Sequence, residues 1–486
     1  MTTAPVRPTD GTAPATTPTP VPASATTTAT AAATGLPYAP PYQSYVYAYP
    51  HKTAYRALPD RPPLRELWTG EAQHALSLYL HIPFCEVRCG FCNLFTRIGG
   101  PDGLTTAYLD ALDRQADAVR AALDEDARFA LAAFGGGTPT YLSAAELERL
   151  CDIAEHRMGA DLRAVPLSVE ASPATATADR LSVLAERGTT RLSLGVQSFV
   201  DAEARSAVRP QKRADVEAAL GRIRDAGFPV LNIDLIYGID GQTEASWLHS
   251  LDAALAWEPE ELYLYPLYVR PLTGLARRGE AESPVQWDAR RLALYRAGRD
   301  HLLAHGYQQV SMRMFRRAAA PQAGVSEYAC QTDGMVGLGC GARSYTSRLH
   351  YSFDYAVDAT EVRRIIDDYV ATETFDRAVV GRAMTPSEAR RRHLVQSLLQ
   401  AEGVALAEYR ARFGSTPDED FPAELAEFQA RGWLANAPDD ADDPEATGGT
   451  GGSLRLSPEG LAHSDAVGPM LFSPEVRTLM AGYEAK

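Results

Sequence analysis

The chain has 486 residues, of which 45% are hydrophobic and 22% charged, so it can bury a large core and we expect one large domain with appendages. Its formal net charge of −15 argues against a nonspecific electrostatic grip on phosphate backbones, and hence against a nucleic-acid partner. No apolar run approaches the roughly 18 residues that a membrane span needs, and the first ten residues lack the features of a signal peptide. We therefore expect a cytoplasmic protein without a membrane span.

The amino-terminal part of the chain divides into two segments of different composition. Residues 1–36 are almost entirely Thr, Ala, Pro and Ser, which cannot bury enough apolar surface to fold, so we predict a disordered tail. Residues 37–75 form a Tyr-rich extension with six tyrosines between positions 38 and 55. These rings either cover an edge of the core or line a substrate pocket, and the sequence leaves both interpretations open.

From residue 76 to residue 315, apolar strand candidates alternate with amphipathic helix candidates. The predicted strands are 76–82, 129–134, 165–171, 190–196, 230–237 and 261–268. The predicted helices are 105–123, 144–155, 178–187, 213–226 and 244–257, followed by a helix over 287–305 and a late strand over 306–314. Such alternation builds βαβ units around a parallel sheet, so we predict an α/β fold with a complete or partial (β/α) barrel.

The carboxy-terminal part of the chain lacks the regular alternation of strand and helix candidates. Residues 316–380 hold a Gly-rich loop and a connecting segment, and residues 381–486 predict a small helical, winged-helix-like domain. Its elements are helices over 387–402, 406–413 and 423–432 and a strand pair around 434 and 454–456. Residues 438–453, acidic and then Gly-rich, predict a flexible insertion. Because the domain is rich in Asp and Glu, we expect it to serve packing and not DNA binding.

Three of the six cysteines crowd into eight residues, in the loop that leaves the first predicted strand. Cys85, Cys89 and Cys92 form a C-x3-C-x2-C pattern, and three thiolates can ligate three irons of a cubane cluster and leave the fourth iron open. A zinc site would need a fourth ligand. His81 lies on the strand at the wrong interval for that role, and no second Cys pair follows. The pattern therefore predicts a [4Fe-4S] cluster, on a loop of the kind that carries chemistry in (β/α) barrels.

The run Tyr79-Leu-His-Ile-Pro-Phe-Cys-Glu-Val-Arg-Cys-Gly-Phe-Cys92 resembles the radical S-adenosylmethionine (SAM) superfamily, in the branch typified by oxygen-independent coproporphyrinogen III oxidase. Four later segments agree in order and spacing: 134–140 (FGGGTPT), 168–171 (SVEA), 195–199 (GVQSF) and 232–238 (NIDLIYG). The resemblance covers about residues 40–475. It implies a radical-SAM barrel in which one electron from the reduced cluster splits SAM into methionine and a 5′-deoxyadenosyl radical.

The same resemblance implies two groups of binding residues. Those that would contact the SAM on the open iron are Tyr79, Phe91, Gly136 and Glu170. Those that would lie near a second SAM are Gly137, Thr138, Gln197, Arg209 and Asp234. The simpler interpretations are that the glycine run is only a tight turn and that the strand-end polar groups satisfy neighbouring backbone.

Some residues depart from the family pattern or remain ambiguous. Leu94 stands where the porphyrin enzyme has a further cysteine, which puts decarboxylation in doubt. Cys340, in the Gly-rich loop, is either a buried small hydrophobe or a thiol near the active site. Cys151 is expected in a helix core, and Cys330 has no partner that the sequence identifies. The cations Arg313, Arg316 and Arg317 either bind substrate carboxylates or form a solvated basic stretch.

Three functions follow from the resemblance. The first is a coproporphyrinogen-oxidase-like radical enzyme that acts on a tetrapyrrole or another large organic substrate. The second is a two-SAM radical C-methyltransferase or cyclopropanase, towards which Leu94 leans. The third is a haem-binding carrier on the same fold. The enzymatic hypotheses imply a small-molecule substrate and an electron donor such as flavodoxin or ferredoxin, whereas the substrate itself stays open.

Overall fold

The structure is a computed structural model that describes residues 38–275, 282–321, 334–435 and 452–484. The predicted tail over 1–36, most of the predicted insertion over 438–453, and Cys330 lie outside these ranges. The described residues from Pro40 onwards group into one compact unit. None of the described helices combines the length and the hydropathy that crossing a bilayer requires.

The described strands are β1 (Arg56–Ala57), β2 (Leu76–Ile82), β3 (Phe84–Cys85), β4 (Arg97–Ile98), β5 (Phe129–Gly136), β6 (Leu167–Ala171), β7 (Arg191–Gln197), β8 (Val230–Tyr237), β9 (Glu261–Pro266), β10 (Tyr307–Gln309), β11 (Met314–Arg317), β12 (Met335–Leu338), β13 (Arg343–Tyr345), β14 (Leu349–Ser352), β15 (Val380–Ala383), β16 (Val404–Ala405) and β17 (Ser453–Leu454).

The described α-helices are α1 (Leu64–Trp68), α2 (Leu104–Ala122), α3 (Ala144–Asp152), α4 (Ala178–Glu186), α5 (Asp201–Ser206), α6 (Arg213–Ala226), α7 (Glu244–Leu255), α8 (Pro284–Ala304), α9 (Ala359–Ala371), α10 (Pro386–Leu398), α11 (Leu406–Phe413), α12 (Pro417–Asp420), α13 (Pro422–Ala430), α14 (Pro458–Ala462), α15 (Ser464–Met470) and α16 (Pro474–Ala481).

The main sheet runs in the order β1-β15-β14-β13-β12-β2-β5-β6-β7-β8-β9-β11-β10. The strands from β12 to β9 in this order are parallel, and antiparallel strands extend both sides. Helices α2, α3, α4, α6 and α7 each connect one parallel strand to the next. The order is linear, with β1 and β10 at its two ends, so the predicted α/β fold is confirmed and the barrel is partial.

Local sequence signals explain where several of these helices begin and end. Ser143 caps α3 through a reciprocal pair of hydrogen bonds with Glu146, which satisfies backbone donors that the first helical turn leaves free. Helix α6 ends at Gly227, whose φ of 73° is the left-handed conformation that glycine adopts at low cost. These signals are local, so the helix bounds agree with the predicted ones to within a few residues.

The predicted late strand over 306–314 is wrong in one respect. The segment forms two antiparallel strands, β10 and β11, at the edge of the sheet. The Ser311 hydroxyl oxygen accepts hydrogen bonds from the backbone N–H groups of Arg313 (3.3 Å) and Met314 (3.2 Å) and so closes a tight turn between them. The predicted pairing of Leu434 with the segment 454–456 is confirmed as an antiparallel bridge between Leu434 and Leu456. The pairing of β17 with β16 was not predicted.

Most residues of the central strands are buried, and the few accessible ones indicate where the sheet has an open side. In β2 every residue except Tyr79 is buried, and in β8 every residue except Asp234. In β6 the one exposed residue is Glu170. A buried parallel strand has little reason to keep a polar position accessible. These accessible positions therefore mark the place where the sheet opens onto a functional site.

Candidate active site

The cysteine loop is held in place at its base and at its tip. At the base, β3 pairs with β4 on either side of the loop. At the tip, the Gly90 N–H donates to the Ala207 carbonyl (3.0 Å), and the Gly90 carbonyl accepts from the Leu275 N–H (2.8 Å). A Cβ on Gly90 would lie 2.8 Å from the Val208 side chain, closer than real contacts allow. Only glycine therefore fits where the loop meets the segment after α5.

The three thiols are free and lie together, but not as the ligands of a single ion. Their sulfur atoms do not all lie within 4.8 Å of one another. Thiolates on one zinc, with Zn–S near 2.3 Å, would be about 4 Å apart. Burial raises the pKa of the Cys85 thiol to about 12 and also raises the pKa of Cys92. Thiolates in such surroundings need a bound cation, so the donor set fits a multi-iron cluster.

His81 cannot complete a zinc site as a fourth ligand. Its Nδ1 atom lies 3.3 Å from the Tyr79 hydroxyl and its Nε2 atom 3.3 Å from the Phe95 carbonyl, so both ring nitrogens have partners. Burial lowers the pKa of His81 to about 4, which keeps the ring neutral. His81 instead fills the space between two glycines, since a Cβ on either Gly136 or Gly341 would lie within 2.6 Å of its ring.

The glycine run that follows β5 packs directly on the cysteine loop. A Cβ on Gly137 would lie 2.6 Å from the Phe84 carbonyl and 3.0 Å from the Cys85 sulfur. Gly136 has a φ of +110°, and its N–H donates to the Glu170 carboxylate (3.1 Å). The run is therefore more than a tight turn, because its backbone forms the wall between the cysteine loop and a carboxylate.

Glu170 and Asp234 are two carboxylates that open onto the same space. The Glu170 side chain is accessible yet surrounded by protein, and this desolvation together with the Asp234 charge raises the pKa of Glu170 to about 7. Burial also raises the pKa of Asp234, which accepts hydrogen bonds from Asn232 (2.7 Å) and Ser193 (3.3 Å). The Arg191 guanidinium opposes both shifts. The two carboxylates are thus poised to meet a ligand that carries positive charge or N–H donors.

Two residues that the resemblance assigns to a second SAM instead contact cluster cysteines in this structure. The Thr138 hydroxyl donates to the Cys85 sulfur (3.5 Å), and the Arg209 guanidinium donates to the Cys89 sulfur (3.2 Å). Arg209 also donates to the Gly195 carbonyl. Gln197 ends β7 at a bulge with a φ of 71°, a strained conformation for a residue with a side chain. Strain of this kind concentrates at ligand sites.

Tyr79 precedes the cysteine loop on β2, and Phe91 belongs to the loop itself. Tyr79 stands on β2 with its hydroxyl against His81. Phe91 is partly buried and packs against an apolar cluster that includes Ala207, Leu267 and Leu275. Both side chains are positioned as walls, while their contact with SAM stays a prediction.

Each of the three arginines near β11 has a carboxylate partner within the protein. Arg313 is buried, whereas Arg316 and Arg317 are partly exposed. The pairs are Arg313 with Asp465, Arg316 with Glu261 (2.8 Å) and Arg317 with Glu260 (3.2 Å). The simpler interpretation holds for two cysteines, since Cys151 and Cys340 are both buried in the main hydrophobic core.

The tyrosines of the Tyr-rich extension differ in their burial. Tyr42 and Tyr49 are buried, Tyr42 against Tyr237 and Tyr49 against Phe472. Tyr45 is only partly buried and lies edge-on to the Tyr265 ring of β9, 6.1 Å between centroids. The extension therefore covers the core at Tyr42 and Tyr49, while a role of its other rings in a substrate pocket stays a prediction.

Two cations at the site escaped the sequence-based predictions. Arg191 sits at the inward-facing start of β7, and no motif marks it. Lys52 lies in the Tyr-rich extension, for which the sequence-based prediction concerns only the aromatic rings. The signal that could have identified Lys52 is compositional, because lysine is nearly absent from the chain.

Comparison with known proteins points to a single family. The sequence profile of the Radical SAM superfamily matches residues 79–254. The oxygen-independent coproporphyrinogen III oxidase of Paracoccus denitrificans is 31% identical over 345 residues, covering 67% of this chain and 73% of that enzyme. The Escherichia coli enzyme of the same name is 30% identical, covering 67% and 72%. The heme chaperone HemW of Bacillus subtilis is 28% identical, covering 74% of this chain and 93% of HemW.

A solved structure shares the whole architecture. Coproporphyrinogen III oxidase (HemN) from Escherichia coli, a radical SAM enzyme, superposes with a TM-score of 0.71 at 23% identity. The superposition covers 88% of this chain and 96% of that chain. At this identity the likeness shows the fold alone.

Proposed function

The chain belongs to the radical SAM superfamily, in the family of the oxygen-independent coproporphyrinogen III oxidases and the chaperone HemW, and we propose that it is an enzyme that acts on a tetrapyrrole or another large organic substrate. The observation that carries the proposal is the donor set. Three free thiols lie beside the Gly136–Glu170 wall, spaced too widely for one metal ion, and both nitrogens of the neighbouring histidine are occupied.

Different residues of the chain would hold the cluster and the SAM molecule. When bound, the [4Fe-4S] cluster supplies an electron that splits SAM and generates the 5′-deoxyadenosyl radical. Cys85, Cys89 and Cys92 would hold the cluster, and the backbone of Gly136 allows close approach of the amino-acid part of SAM. The Glu170 carboxylate would accept hydrogen bonds from that part. Tyr79 and Phe91 form walls that keep water and oxygen away from the reactive centre.

We propose that a second SAM lies beside the first, near Gly137 and at the ends of β7 and β8. Asp234 pairs with Gly195 across these strands, two residues before Gln197. The strained backbone of Gln197 and the accessible carboxylate of Asp234 support a ligand here. Thr138 and Arg209 reach from this side to the cluster cysteines. Binding of two SAM molecules per chain, measured by equilibrium dialysis, would support the second site, and binding of one would contradict it.

A two-SAM C-methyltransferase or cyclopropanase is the second candidate function. It is favoured by Leu94, an exposed residue where the porphyrin enzyme has a further cysteine. The third candidate, a haem-binding carrier, is favoured by the coverage of HemW, 93% of whose length this chain matches. Each candidate predicts a different product from the same assay.

The deciding experiment uses anaerobically reconstituted full-length protein. Iron and acid-labile sulfide near four of each per chain are expected. The reduced protein is then incubated with methyl-labelled SAM and coproporphyrinogen III, with Cys89→Ala as control. Deoxyadenosine formation in the wild type but not in the control supports the enzyme. Label in the substrate identifies methyl transfer, whereas haem absorbance without deoxyadenosine identifies a carrier and contradicts the proposal.

We also propose a flavodoxin or ferredoxin as the electron donor. The thiols of the cysteine loop are only partly buried, and Val87 within the loop is exposed, so a redox partner can approach closely. Deoxyadenosine formation with reduced flavodoxin or ferredoxin in place of dithionite would support this donor class. Failure of both proteins where dithionite succeeds would contradict it.

A further inference from the structure

A cavity of about 370 Å³ opens beside the cysteine loop, between the Tyr-rich extension and strands β13 and β14. Three cations, Lys52, Arg56 and Arg343, and two carboxylates, Asp354 and Glu484, line it together with the rings of Tyr55 and Tyr355. Its size suits an organic ligand, since small-molecule sites begin at about 300 Å³. No role has yet been assigned to any of its charged residues.

Lys52 stands out by composition. Only three of the 47 basic residues of the chain are lysines, at positions 52, 212 and 486. Nearly all other basic residues of the chain are arginines, yet this cavity contains a lysine. An ammonium group differs from a guanidinium in being a compact point charge with three N–H donors.

Two of the three N–H groups of the Lys52 ammonium have partners within the protein. The ammonium group donates to the Tyr355 hydroxyl and interacts with the Tyr47 phenol. Burial lowers the pKa of Lys52 to about 8, so the group is still mostly charged at neutral pH. The third N–H has no partner among the residues that the structure describes. It is available to a ligand in the cavity.

Arg343 is the second cation of the cavity. Its guanidinium donates to the Tyr47 hydroxyl at 3.1 Å and lies over the same ring, 4.8 Å from the centroid. Within the described ranges, neither Arg343 nor Lys52 has a carboxylate partner. Charges held among aromatic rings are normally paired, because an uncompensated charge loses solvation. Of the two carboxylates in the lining, Asp354 pairs with Arg364 (3.6 Å), and among the described residues no ion pair joins Asp354 or Glu484 to Lys52 or Arg343. Two adjacent cations that lack a carboxylate within ion-pair distance therefore indicate a site for an anion.

Residues of the cavity wall contact the candidate active site. The Tyr355 hydroxyl donates to the carbonyl of Asn93, the residue after the third cluster cysteine (2.8 Å). Gly341, on the cavity wall, packs against the His81 ring, as Gly136 does. An anionic group bound here would place the body of its molecule next to the cysteine loop.

We propose that Lys52 and Arg343 hold a carboxylate group of the substrate beside the cysteine loop, so that the substrate is an organic acid whose reacting carbon lies within reach of the cluster side. The inference rests on the proposed function and names two specificity-determining residues for it. Tyr47 and Tyr355 act as positioning residues, because they orient the ammonium and guanidinium groups. The carboxylate of SAM is the alternative source of the same chemistry, and the test separates the two.

The test compares coproporphyrin III with its tetramethyl ester, which has the same ring without free carboxylates. Both are titrated, in one detergent-containing buffer, into anaerobically reconstituted wild type and the variants Lys52→Met, Arg343→Met and Lys212→Met. Charge-assisted hydrogen bonds predict that the wild type binds the acid at least about tenfold more tightly than the ester. Lys52→Met and Arg343→Met should lose most of this preference and keep ester binding, whereas Lys212→Met, which removes an exposed lysine, should keep the preference.

A second measurement covers substrates with a different ring. Benzoate, at the same concentration as a chloride control, should raise the thermal midpoint of the wild type and not that of Lys52→Met, because an anion that binds only the folded protein stabilises it. This result supports the proposal even if neither porphyrin binds. If neither porphyrin binds and benzoate acts alike on both proteins, the proposal is wrong.

Other outcomes also overturn it. Equal wild-type affinity for acid and ester, or an unchanged preference in Lys52→Met, would show that the cations do not bind the substrate carboxylate. A tenfold loss of SAM affinity in Lys52→Met would assign the cations to SAM. Failure of the proposed function itself appears elsewhere, as absence of deoxyadenosine from the wild type.

Discussion

Glu170 is the residue whose protonation should control SAM binding. SAM brings a positively charged sulfonium and an amino group that donates hydrogen bonds, so it favours the ionised carboxylate. With the pKa of Glu170 at about 7, the carboxylate is largely neutral at pH 6 and largely ionised at pH 8. Linkage then predicts that SAM affinity rises as the pH increases through 7, by roughly tenfold between these limits.

Anaerobic equilibrium dialysis of SAM at pH 6, 7 and 8 checks this prediction, with Glu170→Gln as the control. The ratio of wild-type to variant affinity separates Glu170 from the ionisation of SAM itself. The ratio should grow from pH 6 to pH 8. A ratio that is flat with pH would show that the Glu170 carboxylate does not meet the ligand.

Arg209 should tune the cluster through Cys89. A guanidinium that donates to a ligand sulfur disperses its negative charge and makes the cluster easier to reduce. Arg209→Met should therefore shift the reduction potential to more negative values and slow SAM cleavage. EPR-monitored redox titration measures the shift. Arg205→Met, which removes an exposed charge from α5, should leave the potential close to that of the wild type, and an equal shift in both variants would contradict a direct role of Arg209.

The elements of the fold were predictable where their signals are local. The bounds of β2, β8, α6 and α11 match the predicted ones, because hydrophobic periodicity and caps lie within each segment. The turn between β10 and β11 was missed because neither glycine nor proline marks it; a serine hydroxyl closes it. The pairing of β12 with β2 joins segments about 250 residues apart in the sequence, which no local pattern encodes.

The residues of the candidate site also divide into those that a local motif identifies and those that only the tertiary structure brings together. The three cysteines and Glu170 belong to contiguous motifs, so a resemblance in sequence could identify them. Lys52 and Arg343 lie 291 residues apart in the sequence, and only the folded sheet brings β13 and the Tyr-rich extension together. Their shared chemistry, two cations facing one cavity, is a property of the tertiary structure and not of either segment.

The conformation of the cysteine loop, and with it the binding of iron, should depend on Gly90 as well as on the three cysteines. Gly90→Ala would place a methyl group 2.8 Å from Val208 and 2.9 Å from the Ala207 carbonyl, so the tip of the loop must move. We expect reduced iron content after reconstitution, measured by iron and sulfide analysis, with the fold intact by circular dichroism. Gly221→Ala in α6, where a Cβ meets nothing within 4 Å, is the matched control and should bind iron normally. Full iron content in Gly90→Ala would contradict this prediction.

At the scale of the whole molecule, one buried ion pair joins the partial barrel to the carboxy-terminal helices. Arg313, in the turn before β11, donates to the Asp465 carboxylate of α15, and both side chains are buried. The Tyr268 hydroxyl donates to the same carboxylate (2.5 Å), and the Arg313 guanidinium lies 3.9 Å from the centroid of the Tyr45 ring. The pair thus connects the sheet edge, the Tyr-rich extension and the carboxy-terminal region at one point.

Breaking this pair from one side should be costly, because it leaves a buried charge without a partner. Asp465→Ala should lower the free energy of unfolding by about 3–5 kcal/mol, measured by denaturant titration. The double variant Arg313→Met/Asp465→Leu removes both charges and should recover most of that loss. The exposed pair Arg296–Glu459, which also joins barrel and carboxy-terminal helices, is the control: Glu459→Gln should cost about 1 kcal/mol or less. If Asp465→Ala cost no more than Glu459→Gln, the two regions would be held together by apolar packing and not by the buried pair.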